Sequence, residues 1–380
     1  MELKDMRSSI DKIDGEIAKL VSERMEVVAQ VAKFKAEHNL PIFDPERERQ
    51  KLSDIASQVG ADFASKTDAI FSLIFDLSRS CQHQITSGES PVKEEIRQAL
   101  LNTEKQLPSR PLVACQGVEG AYSQLACDRI FPACSIMYFN SFENVFSAVE
   151  QGLCRYGILP LENSIAGSVN RIYDLMMKHD FHIVRSTRIK VDHCLLANKG
   201  AKLENIKEIY SHEQALEQCT DFLKTLKNVK IKSFENTAAA SKMVLKSGRS
   251  DVAALSSRNC ATIYGLDCLL DSVQNQGSNF TRFICISKNL EIYPGANRTS
   301  LMLVTPNRCG SLYRVLSRFN ALRINLLKLE SRPLPNNDFE FMFYFDLDTS
   351  VYSEEFLRMF DDLEDAATSI KYLGSYTEVV

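Results

Sequence analysis

The chain has 380 residues, of which 44% are apolar and 25% charged, and its formal net charge is −4. That length suits two or three globular domains, and the mild acidity gives no chain-level reason to expect nucleic acid or a membrane surface as a partner. Residues 1–11 lack an apolar leader core and no run of about 18 apolar residues occurs, so a cytoplasmic protein without a membrane span is expected.

Residues 1–88 read as an all-helical domain. Leu3, Met6, Ile10, Ile13, Ile17 and Leu20 recur at spacings of three and four, and Val27, Val31 and Phe34 keep the phase. This predicts one long amphipathic helix with a coiled-coil-like seam. Pro41 ends it. Asp44 is then a good N-cap with Pro45 at the first helical position of a second helix, and Gly60 separates a third carrying Ile70, Ile74, Leu77, Cys81 and Ile85. Three helices hold too little core alone, so a homodimer or higher homo-oligomer is expected.

Residues 89–110 form a polar connector with a solvated helix inside it. From 111 to 288 short apolar runs such as 158–161, 193–197 and 252–255 alternate with helical patterns, the grammar of an α/β domain. Residues 298–377 then read as strand 299–304, helix 310–320, strands 324–330 and 339–347, helix 353–366 and strand 370–376, a βαββαβ order of ferredoxin-like type. The eleven cysteines are scattered without a C-x-x-C pair, and the six histidines lack ligand spacing. Reduced core thiols are expected, with no metal and no cofactor.

Two places suggest chemistry. Arg24 lies in phase with the apolar seam, where an unpaired guanidinium would be costly. Lys35, eleven residues on, shares its face about 16 Å away. Arg7 lies about 25 Å from Arg24 along one helix, so it could join the same site only from a second, antiparallel copy. With Asp44, Arg47, Glu48, Ser78 and Gln82, these residues suit charge stabilisation without a nucleophile. The second place is Asn279-Phe280-Thr281-Arg282-Phe283, a hydroxyl beside a cation where a Gly-containing loop enters an apolar strand.

The pattern Met6-Arg7-x(2)-Ile10-Asp11-x(2)-Asp14, Glu23-Arg24, Lys33-x-Lys35, Asp44-x(2)-Arg47-Glu48-Arg49 and Ser78-x(3)-Gln82 resembles the all-helical chorismate mutase family. The resemblance implies that Arg7, Arg24 and Arg47 hold the carboxylates of chorismate. Lys35 and Gln82 would hydrogen-bond the ether oxygen, while Asp44, Glu48 and Ser78 hold the hydroxyl and ring side. Residues Gln116-Gly117-x(2)-Gly120-Ala121-Tyr122-Ser123, Pro160-Leu161-Glu162-Asn163-Ser164-x(2)-Gly167, Tyr210-Ser211-His212-x-Gln214, Gln218-Cys219 and Asn279-Phe280-Thr281-Arg282-Phe283 resemble prephenate dehydratases. That implies two α/β subdomains about a cleft, like a solute-binding protein. Thr281 would serve the leaving hydroxyl and Arg282 a carboxylate, with Ser123, Glu162, Asn163, Ser164, Gln214 and Gln218 positioning prephenate. His212 is left as structural.

The C-terminal unit resembles an ACT domain through Gly310-Ser311-Leu312-Tyr313 and Glu330-Ser331-Arg332-Pro333. The resemblance places L-phenylalanine, as an inhibitory effector, on Gly310, Ser311, Leu312, Glu330, Ser331 and Arg332. Together these resemblances imply an enzyme that turns chorismate into prephenate and prephenate into phenylpyruvate. A dehydratase with a purely dimerising helical domain, and a non-catalytic phenylalanine sensor, are the competing interpretations. The joint presence of Arg24, Lys35 and Gln82 argues against the first, and Thr281-Arg282 against the second.

Overall fold

The computed structural model describes residues 2–86, 90–334, 340–364 and 366–380. Gly88, at the expected end of the helical segment, and Phe339, at the expected start of a strand, lie outside them. Helices α1 (Leu3–Glu37), α2 (Pro45–Ala56) and α3 (Ala61–Thr86) form the N-terminal unit. Asp44 caps α2 as the sequence suggests, its side chain accepting from the Arg47 amide at 3.0 Å. The seam of α1 is open: Ile13, Ile17 and Leu20 are 55%, 52% and 63% exposed, and only Val28 and Ala32 of this helix are buried.

The connector contains α4 (Pro91–Asn102), which is not solvated as expected. Val92, Ile96, Ala99 and Leu100 fall on one helical face, and that face packs into the core of the C-terminal unit. The spacing of four and three among charged neighbours is the reason: an apolar stripe seeks a partner surface.

The α/β region begins with β1 (Leu112–Gln116), α5 (Tyr122–Ile130), β2 (Ser135–Phe139), α6 (Phe142–Glu150), β3 (Tyr156–Asn163), β4 (Gly167–Ser168), α7 (Asn170–Met176) and β5 (His182–Lys190). The chain then crosses to a second lobe: β6 (Cys194–Ala197), β7 (Glu208–Ser211), α8 (Glu213–Gln218), α9 (Thr220–Thr225), β8 (Lys230–Ser233), α10 (Thr237–Ser247), β9 (Val252–Ser256), α11 (Arg258–Tyr264) and β10 (Asp267–Leu270). It returns through β11 (Phe280–Ser287). The second lobe is a five-stranded sheet of order β10-β6-β9-β7-β8. The two crossings lie side by side, with the Val191 amide donating to the Asn279 carbonyl at 2.8 Å.

The C-terminal unit consists of β12 (Arg298–Thr305), α12 (Ser311–Ala321), β13 (Asn325–Pro333), β14 (Phe341–Asp348), α13 (Glu354–Glu364) and β15 (Ser369–Val379). Its strand order, β13-β14-β12-β15, is that of the βαββαβ arrangement read from the sequence. This sheet does not stop at the domain boundary. β15 pairs in parallel with β5 through Thr377–Arg185, Glu378–Ser186 and Val379–Thr187, so one ten-stranded sheet runs from β13 through β5, β11, β3 and β1 to β2. Gly374 allows the junction: at φ +134° a side chain is strained, and a Cβ would overlap the Ile183 carbonyl.

α3 meets the other flank of the C-terminal unit. Ser80 Oγ donates to Asp362 at 2.6 Å, Gln84 Nε2 donates to the same carboxylate at 2.8 Å, and Arg314 of α12 lies 3.0 Å from Asp76. No described helix is long and apolar enough to cross a membrane.

Candidate functional sites

Arg24, Lys35, Asp44, Arg47, Glu48, Ser78 and Gln82 all line one cavity of about 620 Å³ among α1, α2 and α3. Arg24 donates to Ser78 Oγ, and burial lowers its pKa against the opposing pull of Glu48. Lys35 Nζ donates to the Ile42 carbonyl at 2.7 Å, which fixes the ammonium at the α1–α2 turn with further donors to spare. Gln82 is 7% exposed; its Nε2 donates to the Ser78 carbonyl at 3.3 Å and its Oε1 has no partner. Arg7 is exposed on the first turns of α1 and does not line this cavity. Arg79, which the motifs do not flag, does line it and pairs with both Glu48 and Asp76. The spacing of Asp76 and Arg79, one turn apart on α3, is the signal that could have found it.

A second cavity, of about 500 Å³, lies between the two α/β lobes. One lobe offers Gln116, Ser123, Asn163, Thr281 and Phe283; the other offers His212, Gln214, Gln218, Asn236 and Thr237. Asp, Glu, Lys and Arg are absent from its described lining. Positive potential comes instead from helix starts: Ala121, Tyr122 and Ser123 open α5, and Asn236 and Thr237 open α10.

Thr281 sits opposite Asn163 in the β11–β3 ladder, and Asn163 Nδ2 donates to Thr281 Oγ1 at 3.0 Å. The same amide donates to Asn279 Oδ1 at 2.7 Å, while Asn163 Oδ1 accepts the amides of Ile165 and Ala166 at 3.0 and 2.9 Å. Asn279 Nδ2 donates to Gln218 Oε1 at 3.0 Å, and His193 Nε2 lies 3.0 Å from that oxygen. A carboxamide oxygen can only accept, so His193 carries its proton on Nε2 and leaves Nδ1 as a buried acceptor without a partner. Burial lowers the His193 pKa, which favours this neutral form. His193 lines the cavity but escapes a motif-based search, because a single histidine before an apolar run carries no periodic signal. His212, left as structural on sequence grounds, caps α8 by accepting from the Gln214 amide at 3.3 Å, and it also lines the cavity.

The remaining expected residues lie elsewhere. Ser164 Oγ accepts the Phe280 amide at 3.0 Å, tying the end of β3 to β11, and does not line the cavity. Glu162 points to the C-terminal unit, accepting from Lys328 Nζ at 2.7 Å. Arg282, expected to hold a substrate carboxylate, is 4% exposed and pairs with the fully buried Asp346 of β14. Adjacent strand residues face opposite sides of a sheet, so Thr281 in the cavity places Arg282 away from it.

The expected effector residues are also divided. Gly310, at φ +83°, precedes α12, with Ser311 and Leu312 in its first turn. Glu330 instead accepts from Ser168 Oγ at 2.5 Å and Arg332 binds Asp174 at 2.9 and 2.8 Å, both in the dehydratase-like region, while Ser331 faces the other side of β13. All eleven cysteines are free. Cys194, Cys268 and Asp271 bring potential metal-ligand atoms within 4.8 Å, although Asp271 is engaged by Arg258.

Two segments of the chain match known families. Residues 6–83 match the family model for chorismate mutase type II and residues 113–291 that for prephenate dehydratase. Arogenate dehydratase/prephenate dehydratase 2 of Arabidopsis thaliana is 38% identical over 70% of this chain and 73% of its own. The bifunctional chorismate mutase/prephenate dehydratase of Escherichia coli strain K12 is 31% identical over 98% of this chain and 95% of its own. A prephenate dehydratase from Arthrobacter aurescens, solved in complex with L-Phe, superposes with a TM-score of 0.64 at 24% identity, covering 70% of this chain and 89% of that one. With both family models matched and end-to-end likeness to a bifunctional relative, the chain belongs to the bifunctional chorismate mutase/prephenate dehydratase family.

Proposed function

We propose that the helical cavity rearranges chorismate to prephenate and that the interlobe cavity converts prephenate to phenylpyruvate, carbon dioxide and water. The first step breaks the ether C–O bond and forms a C–C bond without proton transfer. Arg24 and Arg47, with Arg7 from a second copy, hold the carboxylates, and Lys35 Nζ stabilises charge growing on the ether oxygen. A half-turn of the Gln82 carboxamide would give up its 3.3 Å bond to the Ser78 carbonyl and present Nε2 as a second donor where the unpartnered Oε1 now lies. Asp44, Glu48 and Ser78 face the hydroxyl and ring side.

In the second step the bond to the ring carboxylate breaks, its electron pair aromatises the ring, and hydroxide leaves with a proton. The observation that carries the assignment is that Thr281 Oγ1 accepts a hydrogen bond from Asn163, which leaves its own proton free to be donated within the cavity. Ser123, Gln214 and Gln218 line the space around that proton, and the openings of α5 and α10 offset the dianion's charge. The solvent-facing apolar seam of α1 supports a homodimer. L-Phenylalanine as effector, at an ACT-type site on Gly310, Ser311, Leu312 and Ser331, completes the proposal. Glu330 and Arg332 then join that site to the dehydratase unit.

Chorismate fed to purified protein tests the whole scheme. Its disappearance together with phenylpyruvate formation, slowed by phenylalanine, is expected. Phenylpyruvate from prephenate but not from chorismate would leave a dehydratase with a dimerising helical domain, and neither product would leave a sensor.

A further inference from the structure

Arg282 is the cation that sequence alone would give to the substrate, and the fold uses it otherwise. Its guanidinium pairs with Asp346, donates from Nη2 to Tyr376 Oη at 3.0 Å, and lies 3.5 Å from Glu162 and 3.4 Å from Glu378. Asp346 has no solvent exposure. Its other oxygen accepts from Ser300 Oγ, from Tyr344 Oη at 2.6 Å and from Tyr376 Oη at 3.3 Å. Asp346, Ser300, Tyr344 and Tyr376 all belong to the C-terminal unit, whereas Arg282 is one residue from the Thr281 hydroxyl. Swinging Arg282 into the cavity would strand a buried carboxylate without its counter-charge.

The strand needs such an anchor. Along β3, Arg282 pairs with Glu162 but Phe283 pairs with Pro160, so the ladder slips by one residue directly after Arg282. A bulge redirects the neighbouring side chains and is common beside active sites. On its other edge β11 pairs with β5, which in turn carries β15 of the C-terminal unit. The position of that unit therefore reaches Thr281 through both a backbone ladder and one ion pair.

We propose that Arg282 is a positioning residue: through Asp346, the docked C-terminal unit sets the direction of the Thr281 hydroxyl for the dehydratase step. The proposal rests on Thr281 as the donor to the leaving group. It makes the dehydratase reaction depend on a carboxylate that never meets substrate.

The test uses the full-length protein and measures kcat and KM for prephenate together with the mutase rate. Arg282→Met and Asp346→Asn should each lower dehydratase kcat at least about tenfold with KM changed less than about threefold, and the double variant should be no worse than the poorer single one. Arg282→Lys should restore part of the loss, since an ammonium can still pair with Asp346, and the mutase rate should not change. A large rise in KM for Arg282→Met with a silent Asp346→Asn would make Arg282 a substrate ligand and overturn the proposal. So would losses that simply multiply in the double variant. If either variant loses its folded C-terminal unit in thermal unfolding, Tyr376→Phe decides. It removes only the hydroxyl bonded to Arg282, Asp346 and Ser300; a severalfold fall in kcat at constant KM supports the latch, and unchanged kcat overturns it. Thr281→Val measured in parallel separates the two ideas. If it stays active while the latch variants do not, the donor assignment fails and the latch, as a device that aims the Thr281 hydroxyl, falls with it; if both lose kcat, both stand, and if only Thr281→Val does, the donor stands without the latch.

Discussion

Replacing Thr281 by Val separates the hydroxyl's chemistry from its place in the fold. Valine keeps the β-branched shape that suits a strand. The folded state loses one hydrogen bond, that from Asn163 Nδ2, but this amide keeps Asn279 Oδ1 at 2.7 Å and the Phe280 carbonyl at 3.3 Å. A net cost of about 1 kcal/mol is then the ceiling for stability. On the proposed assignment the transition state loses a donor aimed at a departing hydroxide, in a cavity whose described lining offers no ammonium or guanidinium to replace it. Losing one such donor costs roughly 3 kcal/mol, or about 10² in kcat. Phenylpyruvate formation from prephenate measures it, with chorismate consumption as the internal control because the two cavities occupy different units. Thr281→Ser, which keeps the donor but frees its rotor, should retain most of the rate. A Val variant with kcat within about threefold of wild type, or a loss confined to KM, would refute the reasoning.

Lys35→Ala should reduce mutase turnover by about 10² or more and spare dehydratase turnover; a retained mutase rate removes Lys35 from the site. Ile13→Glu puts a charge in the open seam of α1, and analytical ultracentrifugation should show a smaller species with little mutase activity, whereas an unchanged size would place the interface elsewhere. His182 is mostly buried beside Lys371, and burial followed by that ammonium lowers its pKa to about 4 from 6.5; hydrogen bonding with the Tyr372 backbone and then the Asp180 carboxylate oppose the shift, and Glu95 lies 3.8 Å away. The unfolded chain therefore binds the proton first: the stabilisation is complete above about pH 6.5 and is lost as pH falls towards 4, by at most roughly 3 kcal/mol. Melting curves at pH 7.5 and 5 should diverge less in His182→Gln than in wild type, and equal divergence would assign the effect to other groups.

Local signals in the sequence lead directly to several elements. The three-and-four spacing from Leu3 to Leu20 yields α1, and Asp44-Pro45 yields both the start of α2 and its capping bond. The motif residues around the helical cavity converge because i, i+4 neighbours such as Ser78 and Gln82 share a helix face whatever the tertiary context. Arg282 fails for the opposite reason. Strand parity alone puts Thr281 and Arg282 on opposite faces, but which face meets the cavity depends on Asn163 across the ladder and on Asp346, 64 positions away. Such long-range pairings leave no local periodicity to read. The connector helix was partly legible: Val92, Ile96, Ala99 and Leu100 form a stripe, although nothing local names the C-terminal core as its partner.

Asp76 and Asp346 do mirror-image work at the two joints of the C-terminal unit. At one joint that unit supplies the carboxylate, Asp346, to an arginine next to Thr281. At the other it supplies arginines to a carboxylate of the helical unit: Arg314 lies 3.0 Å from the Asp76 side chain, and Arg318 Nη2 donates to the Asp76 carbonyl at 3.0 Å. Asp76 also pairs with Arg79, which holds Glu48 in the wall of the helical cavity. Arg314 and Arg318 belong to α12, the helix that starts at Gly310. Buried ion pairs of this kind add little net stability over apolar contacts, but breaking one by moving a single partner is costly. Each joint therefore favours one orientation of the C-terminal unit over nearby ones. A ligand at the start of α12 can change either reaction only by the difference in its affinity for docked and displaced orientations of that unit.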